Sequence, residues 1–443
     1  MPPARTGVAA YAAELVAALG HDHRLDTFVD DAIAAKRGRT PDDVPVRSAH
    51  DFVWLNQREP YDLTVFQLGN SAEHDYLWPY LFRFPGLAVL HDAHLHHARA
   101  AALLRQNRAD DYRKEFAVSE PDTPADLAEV AIAGFDSHLY YWWPMTRLVA
   151  MTSRLTAVHS LLSALSLREG VPCALVEHIQ LGHGTHVDPA EAAVLSERVR
   201  ARHGIPGEAI VFGVYGGLTP EKRLPQILSA FASLMPYVPA ARLLLVGAPA
   251  PHYDVLGDIR RLQLENAVIL TGYIDEDATF TEYIAACDVS INLRWPTARE
   301  VSGPWVRALG AGRPTITIDL EHMADVPSLD PRTWTPPQRA TAEPPVTVSV
   351  DILDEDHSLR LAMRRLAVDA ELRGRLGRAA ASHWEQNHSP QRMLEDYRRV
   401  IARALEAPIP AVDLPAHLRA DGSARLEQLL QPFGLPADVW GKI

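Results

Sequence analysis

Lysine and long apolar runs are scarce in this 443-residue sequence, and each scarcity narrows what the protein can be. Only four lysines occur among 43 basic residues, so a lysine beside a glycine turn, such as Lys222, stands out. No apolar run reaches the ~18–20 residues that a membrane-spanning helix needs. The N-terminus also lacks the basic segment and apolar core of a signal peptide. We therefore expect a cytoplasmic protein.

Cysteine is equally scarce, and the two that occur lie far apart in apolar segments. Cys173 and Cys287 are predicted to be reduced thiols in the core. The formal net charge is −13, and no basic run offers the positive surface of a nucleic-acid binder, so we expect no nucleic-acid partner. No polybasic amphipathic helix is evident, and peripheral contact with the inner face of a membrane stays an open alternative.

Strand-like apolar runs alternate with helical stretches along most of the chain. They span 62–71, 86–92, 147–151, 155–160 and 174–182 in the first half, and 209–217, 241–249, 267–273, 287–295 and 314–319 in the second. This alternation predicts βαβ units and mainly parallel sheets, so the fold class is α/β with two domains in series. Ligands of such sheets bind at the carboxyl ends of the strands.

One candidate site residue follows a strand and a glycine turn. In "VFGVYGGLTPEKRLPQIL", Gly216 and Gly217 form the turn and Lys222 begins a helix. A lysine in that position can neutralise a phosphate. An ordinary surface lysine is the alternative.

A second candidate segment is a loop before an amphipathic helix, in "REVSGPWVRALGAGRP". Glu300 and Val301 lie in the loop, Ser302 is a plausible N-cap, and Gly303 lets a ligand approach the backbone. The alternative is a normal capped helix with an exposed glutamate.

These two segments, taken in order with the segments between them, indicate a family more specifically than either segment does alone. Together with "ARLLLVGA" and "VILTGYIDEDATFTEYIAACDVSINL", they resemble the donor domain of family 4 glycosyltransferases over residues 205–320. The first half is similar to one branch of that family through "PPARTGVAAYAAEL", "FQLGNSAEH" and "FPGLAVLHDAHLHH". The resemblance implies the GT-B fold, in which two Rossmann-like domains face a central cleft. It implies an acceptor-side domain over 1–204, a nucleotide-sugar donor domain over 205–388, and a C-terminal helix and tail over 389–443.

The resemblance also implies an activity and its partners. The family transfers a sugar from a nucleotide-diphosphate sugar with retention at the anomeric carbon, and it needs no metal or other cofactor. The donor substrate would be the nucleotide sugar, and the acceptor a glycan or glycolipid that the sequence does not identify. A catalytically silent GT-B binding or scaffold protein and a nucleotide-sugar epimerase stay open as alternatives.

Roles for the donor-side residues follow from the same resemblance. Lys222 would bind the diphosphate and stabilise the leaving group, and Glu300 would face the sugar or the ribose. The backbone amides of Val301, Ser302 and Gly303 would meet phosphate or sugar oxygens. The turn of Gly216 and Gly217 belongs to the same donor site, and Gly7 would let the N-terminal loop approach the diphosphate. Departure of a diphosphate builds negative charge, which cations and oriented amides stabilise without a metal.

His91 matches the histidine that the family places beside the transferred sugar, and Asp92 would orient it. A structural loop histidine is the alternative. The surrounding "HDAHLHH" also suggests a metal site, but a matching acidic partner is not evident. Aromatic residues of the first half, Trp78, Tyr80, Tyr140, Tyr141, Trp142 and Trp143, offer a sugar-stacking platform or, more commonly, a core.

Two positions depart from the family pattern. Arg307 stands where members usually carry a second glutamate, and Gly217 where many carry an arginine ahead of the lysine. The candidates for a substitute cation are Arg223, Arg294, Arg299 and Arg307.

The first residues pose a separate question. "MPPARTGVAAYAAELVAALG" consists of a turn and an amphipathic helix, with no strand ahead of the turn. In the family an apolar strand precedes this loop. We therefore expect that the first strand is missing from the sequence as given, through a misplaced start or a true truncation.

Overall fold

The computed structural model describes residues 7–35, 44–134, 137–337, 343–419 and 428–434. Its α-helices are α1 Gly7–Leu19, α2 Asp31–Ala34, α3 Phe52–Arg58, α4 Trp78–Arg83, α5 His96–Arg105, α6 Ala109–Ser119, α7 Leu127–Ile132, α8 Arg147–Thr152, α9 Leu161–Gly170, α10 Pro189–His203, α11 Leu224–Leu234, α12 Val255–Arg261, α13 Asp277–Ala286, α14 Gly303–Gly310, α15 Glu355–Val368, α16 Ala370–His383, α17 Pro390–Glu406 and α18 Ala416–Arg419. Its strands are β1 Thr27–Val29, β2 Val46–Ser48, β3 Val65–Leu68, β4 Leu87–Leu90, β5 Leu155–Val158, β6 Val176–His178, β7 Val211–Tyr215, β8 Arg242–Val246, β9 Val268–Leu270, β10 Val289–Asn292, β11 Thr315–Ile318, β12 Ser328–Leu329 and β13 Thr347–Val350.

The chain packs as two compact units, each assembled from several segments. The first unit comprises Met1–Glu59, Val158–Ser166 and His178–Val400, and the second comprises Pro60–Ala157, Leu167–Glu177 and Ile401–Ile443. Packing thus groups α1 with the second half of the chain. The boundaries expected at residues 204 and 388 stay predictions.

The first unit contains a seven-stranded sheet in the order β12-β13-β11-β10-β7-β8-β9. Its strand pairs are parallel. Strands β7 and β11 are buried along their whole length, as expected when helices cover both faces of a parallel sheet. Because β10 lies beside β7, the loops that follow these two strands leave the sheet side by side.

The second unit contains the four-stranded sheet β3-β4-β5-β6. Strands β4 and β5 are fully buried, and a separate apolar cluster gathers Tyr112, Phe116 and Met145 around α5 and α6.

The N-terminal segment of the first unit contains a small sheet of its own, in which β1 and β2 pair in parallel. The turn before α1 lies outside the described residues, so the missing first strand stays a prediction.

The structure confirms the α/β class and the parallel sheets, and it corrects two expectations. Residues 147–151 form helix α8, because a short apolar run buried on every side has no period that separates a strand from a helix. Cys173 is exposed, whereas Cys287 is buried as expected. Within the described ranges, none of the helices has the length and apolarity that crossing a membrane requires.

Candidate functional site

The glycine turn after β7 is shaped around a lysine. The ammonium of Lys222 donates a hydrogen bond to the carbonyl oxygen of Tyr215, the last residue of β7. Gly216 has φ +83°, and a Cβ there would lie 2.8 Å from Nζ of Lys222. Glycine at this position therefore allows both the left-handed backbone and the close approach of the ammonium. The structure thus brings Lys222 and Gly216 into contact, and their roles in donor binding stay predictions.

Lys222 is the last residue of a short 3₁₀ helix, Pro220–Lys222, and its side chain extends to the backbone of Tyr215. The pKa of Lys222 is lowered to about 7, mainly by burial and also by the positive charge of Arg294, while the carboxylate of Glu300 acts in the opposite direction. An ammonium with a pKa near neutrality gains from the arrival of an anion, since a negative charge restores its protonated form.

Glu300 is the acidic neighbour of this lysine. It forms an ion pair with Arg294 and accepts a 2.8 Å hydrogen bond from Oγ1 of Thr297. His322 also lies within electrostatic reach: burial lowers the pKa of His322, and the negative charge of Glu300 acts in the opposite direction. The loop after β10 thus supplies both an anion and a cation next to Lys222.

The backbone at the start of α14 is capped and closely covered. Oγ of Ser302 accepts a 3.4 Å hydrogen bond from the N–H of Trp305, as predicted for an N-cap. A Cβ on Gly303 would lie 3.2 Å from Cδ2 of His183, so glycine fits this contact. Nδ1 of His183 in turn lies 3.3 Å from Oε2 of Glu14 on α1.

Sequence reasoning missed His183 and Glu14. Helix α10 begins only at Pro189, so His183 lies in the loop that follows β6. The available signal was the pair of glycines around His183, because Gly184 has φ +79° and packs against Arg307 of α14. Gly7, in contrast, is the first residue of α1, and a Cβ on it would meet nothing within 4 Å. Its predicted role near a diphosphate stays a prediction.

His91 and Asp92 lie in the second unit, directly after β4. Nε2 of His91 is 2.8 Å from Oε1 of Gln67, and its backbone N–H bonds the carbonyl oxygen of Leu68. Oδ2 of Asp92 accepts a 2.6 Å hydrogen bond from the N–H of Asn70. Both residues therefore lie where β3 and β4 end, as predicted, and their roles stay predictions.

His96, in the same histidine-rich segment, is part of an aromatic core. Nε2 of His96 is 2.7 Å from the hydroxyl of Tyr112, and its ring contacts Tyr140 and Trp143. Burial lowers the pKa of His96 to about 3. Across the described part of the chain, no group of three or more His, Cys, Asp or Glu residues is arranged to hold a metal ion.

The four candidate cations have different partners. Arg223 binds Glu355, with Nε 2.8 Å from Oε1, and Arg299 lies 2.8 Å from Glu321. The remaining pairs are Arg307–Asp277 and Arg294–Glu300.

Arg307 joins α14 to α13. Besides its ion pair with Asp277, its Nη2 donates a 2.8 Å hydrogen bond to Thr281, and its guanidinium lies 4.8 Å from the ring centre of Phe280. A buried arginine with these partners stabilises the packing of two helices.

Comparisons with known proteins agree with this architecture. Residues 196–326 match the family model described as "Glycosyl transferases group 1". A search of curated proteins finds no match.

Several solved structures are similar in fold to this protein over most of its chain. HepE of Anabaena, solved with UDP and glucose, is 14% identical, with a TM-score of 0.55 over 81% of this chain and 86% of its own. Sucrose-phosphate synthase of Thermosynechococcus elongatus is 14% identical, with a TM-score of 0.61 over 91% and 94%. WaaG, a glycosyltransferase involved in lipopolysaccharide biosynthesis, is 13% identical, with a TM-score of 0.56 over 89% and 96%. These similarities confirm the expected GT-B fold class.

Proposed function

We propose that this protein is a retaining glycosyltransferase of family 4 that takes a sugar, a hexose by analogy with its relatives, from a nucleoside-diphosphate donor. The first unit binds the donor, through the turn of Gly216 and Gly217, Lys222, and the loop from Glu300 to Gly303. The structural relatives include a protein solved with UDP and glucose, which supports a nucleotide sugar as the donor class. The acceptor is a glycan or a glycolipid.

The observation that carries this proposal is the partly buried ammonium of Lys222. It lies at the carboxyl end of β7, and the loop after the neighbouring strand β10 brings Glu300 to it. A lysine is costly to bury, so a site that keeps one without a tight carboxylate partner is suited to an anion that arrives later. A diphosphate is such an anion.

The same arrangement supports a transfer that needs no metal. As the bond to the sugar breaks, negative charge would grow on the diphosphate, and the charge on Lys222 and the backbone amides of residues 301–303 would stabilise it. Glu300 would bind hydroxyl groups of the sugar or the ribose. His91 and Asp92 would act beside the transferred sugar.

Binding of nucleoside diphosphates tests the donor site. We expect calorimetric titration to detect UDP or GDP, and Lys222→Ala to weaken that binding by ~10–100-fold through loss of a charge-assisted contact. Lys114→Ala is the matched control, since Lys114 lies on α6 of the second unit with its side chain 57% exposed. Failure of the wild-type protein to bind either nucleotide would contradict the proposal.

Turnover tests the activity itself. We expect release of the nucleoside diphosphate from its sugar donor, slowly to water and faster to a suitable acceptor. Binding without any turnover of donor would instead favour the catalytically silent alternative.

A further inference from the structure

A second cation, Arg294, lies close to Lys222 in the proposed donor site. We propose, on the basis of that proposed function, that Arg294 binds the diphosphate together with Lys222. In the ligand-free protein Glu300 holds the guanidinium, and on donor binding Arg294 turns from Glu300 to the phosphate oxygens. The released carboxylate then becomes available to hydroxyl groups of the donor.

The position of Arg294 follows from the sheet. It lies two residues after β10, and β10 is the direct neighbour of β7, which carries the glycine turn. The loops after the two strands are joined by a backbone hydrogen bond of 2.7 Å, from the N–H of Trp295 to the carbonyl oxygen of Glu221. This bond connects the residue after Arg294 to the residue before Lys222, so it fixes the two cations at one edge of the sheet.

The charge of a diphosphate requires more than Lys222 supplies. A nucleoside diphosphate carries about two to three negative charges at neutral pH, since each phosphate has lost its first proton and the terminal phosphate loses a second near pH 6. Lys222 supplies at most one positive charge, so a second, permanent charge is needed there. An arginine keeps its charge at every relevant pH, and its planar fork matches two phosphate oxygens.

The other arginines near the site are engaged elsewhere. Arg223 is held by buried Glu355 of α15, and Arg307 is buried against α13. Arg299 pairs with Glu321, the start of a different short helix. The side chain of Arg294 is 40% exposed while that of Glu300 is 17% exposed, so a ligand can reach the guanidinium.

The ion pair with Glu300 explains how the free protein tolerates two neighbouring cations. The positive charge of Arg294 disfavours protonated Lys222, and the carboxylate of Glu300 acts in the opposite direction. A diphosphate that replaces Glu300 as the partner of Arg294 keeps this compensation. Exchange of one anionic partner for another therefore leaves no cation unpaired.

Titration of arginine variants with UDP, GDP and UMP tests the proposal. We expect Arg294→Gln to lose at least ~10-fold in affinity for whichever diphosphate the wild type binds, and much less for the monophosphate. Arg299→Gln removes a charge from the same loop and is expected to stay within about twofold of the wild type. Equal diphosphate affinity of Arg294→Gln and wild type would overturn the proposal.

A second pair of variants keeps the test decisive if Arg294→Gln, which leaves Glu300 unpaired, fails to fold. Glu300→Gln and the double variant Arg294→Gln/Glu300→Gln differ only in the guanidinium, and the double variant leaves no unpaired charge. We expect Glu300→Gln to bind inorganic pyrophosphate at least ~10-fold more tightly than the double variant. Equal affinities would overturn the role of Arg294, whereas a wild type that binds no nucleoside diphosphate would overturn the proposed function itself.

Discussion

Nδ1 of His183 lies 3.3 Å from Oε2 of Glu14, and the same imidazole covers the start of α14 at Gly303. One contact thus connects the first helix, the loop after β6 and the helix whose amides are proposed to meet the donor. The side chain of His183 is 11% exposed and that of Glu14 is 42% exposed. The pair therefore stays partly open to solvent on the glutamate side.

A double-mutant cycle on this pair measures the energy of the contact between α1 and the loop after β6. We expect Glu14→Gln and His183→Ala to be coupled by about 0.5 kcal/mol in the free energy of unfolding, because a partly exposed polar contact is weakened by competition with water. Chemical denaturation of the four proteins gives the coupling. Glu59→Gln, which breaks the exposed pair with Arg24, serves as the control and should show no coupling to His183→Ala. Purely additive effects of the two changes would mean that the contact contributes nothing to stability.

The pKa of Lys222 predicts a pH dependence of donor binding. A bound diphosphate favours the protonated amine, so binding should raise a pKa that is about 7 in the free protein. Affinity for the diphosphate should then fall as the pH rises from about 7 towards 9, by at most ~10-fold per unit. Titrations over this range check it. Lys222→Met should bind weakly with a flat profile, and a profile parallel to that of the wild type would assign the titration to another group.

Alanine substitutions at two glycines with left-handed backbones distinguish the cost of backbone strain from the cost of steric clash. Gly184 has φ +79° and Gly204 has φ +60°, but a Cβ on Gly184 would lie 2.8 Å from Cγ of Arg307, whereas one on Gly204 would meet nothing within 4 Å. We expect Gly204→Ala to cost about 1 kcal/mol in stability, from the backbone alone. Gly184→Ala should cost clearly more, about 2–4 kcal/mol, since Arg307 must also move. Equal losses in denaturant unfolding would show that the Arg307 side chain moves freely.

A buried carboxylate in the second unit predicts a sensitivity to acid. Glu115 is 2.5 Å from Nη2 of Arg99 and 2.7 Å from Nε2 of His417 in the C-terminal segment. Burial raises the pKa of Glu115, but the bonds from these two residues outweigh it, and the pKa lies below its usual value. The stability gained from ionised Glu115 is therefore present above pH about 4.5 and is lost as the pH falls through the lowered value.

Glu115→Gln tests this assignment. At neutral pH it should lower the free energy of unfolding by about 3–5 kcal/mol, because it leaves the buried guanidinium of Arg99 without its counter-charge. It should also flatten the decline in stability below pH 4.5, which thermal unfolding at several pH values measures. Glu73→Gln, at an exposed position, is the control. An unchanged acid profile in Glu115→Gln would place the sensitive group elsewhere.

Sequence patterns predicted most strands of the two larger sheets and failed where burial is uniform. The runs 209–217 and 86–92 contain β7 and β4. Lys222 follows the first run, and His91 lies near the end of the second. The run 147–151 is the helix α8, since an apolar stretch of that length fits either structure. Strand β13 matches none of the predicted strand-like runs.

The sequence by itself determined the alternation of strands and helices, the parallel sheets, and the glycine turn that accommodates Lys222, because these depend on local periodicity and on backbone conformation. Only the tertiary structure decided the partners of the charged residues. Arg294 with Glu300 beside Lys222, Arg307 with Asp277, and His183 with Glu14 are all arranged by contacts between separate elements. A charge pattern along a chain does not specify which of many possible ion pairs forms, since that choice depends on how the sheet and its helices pack.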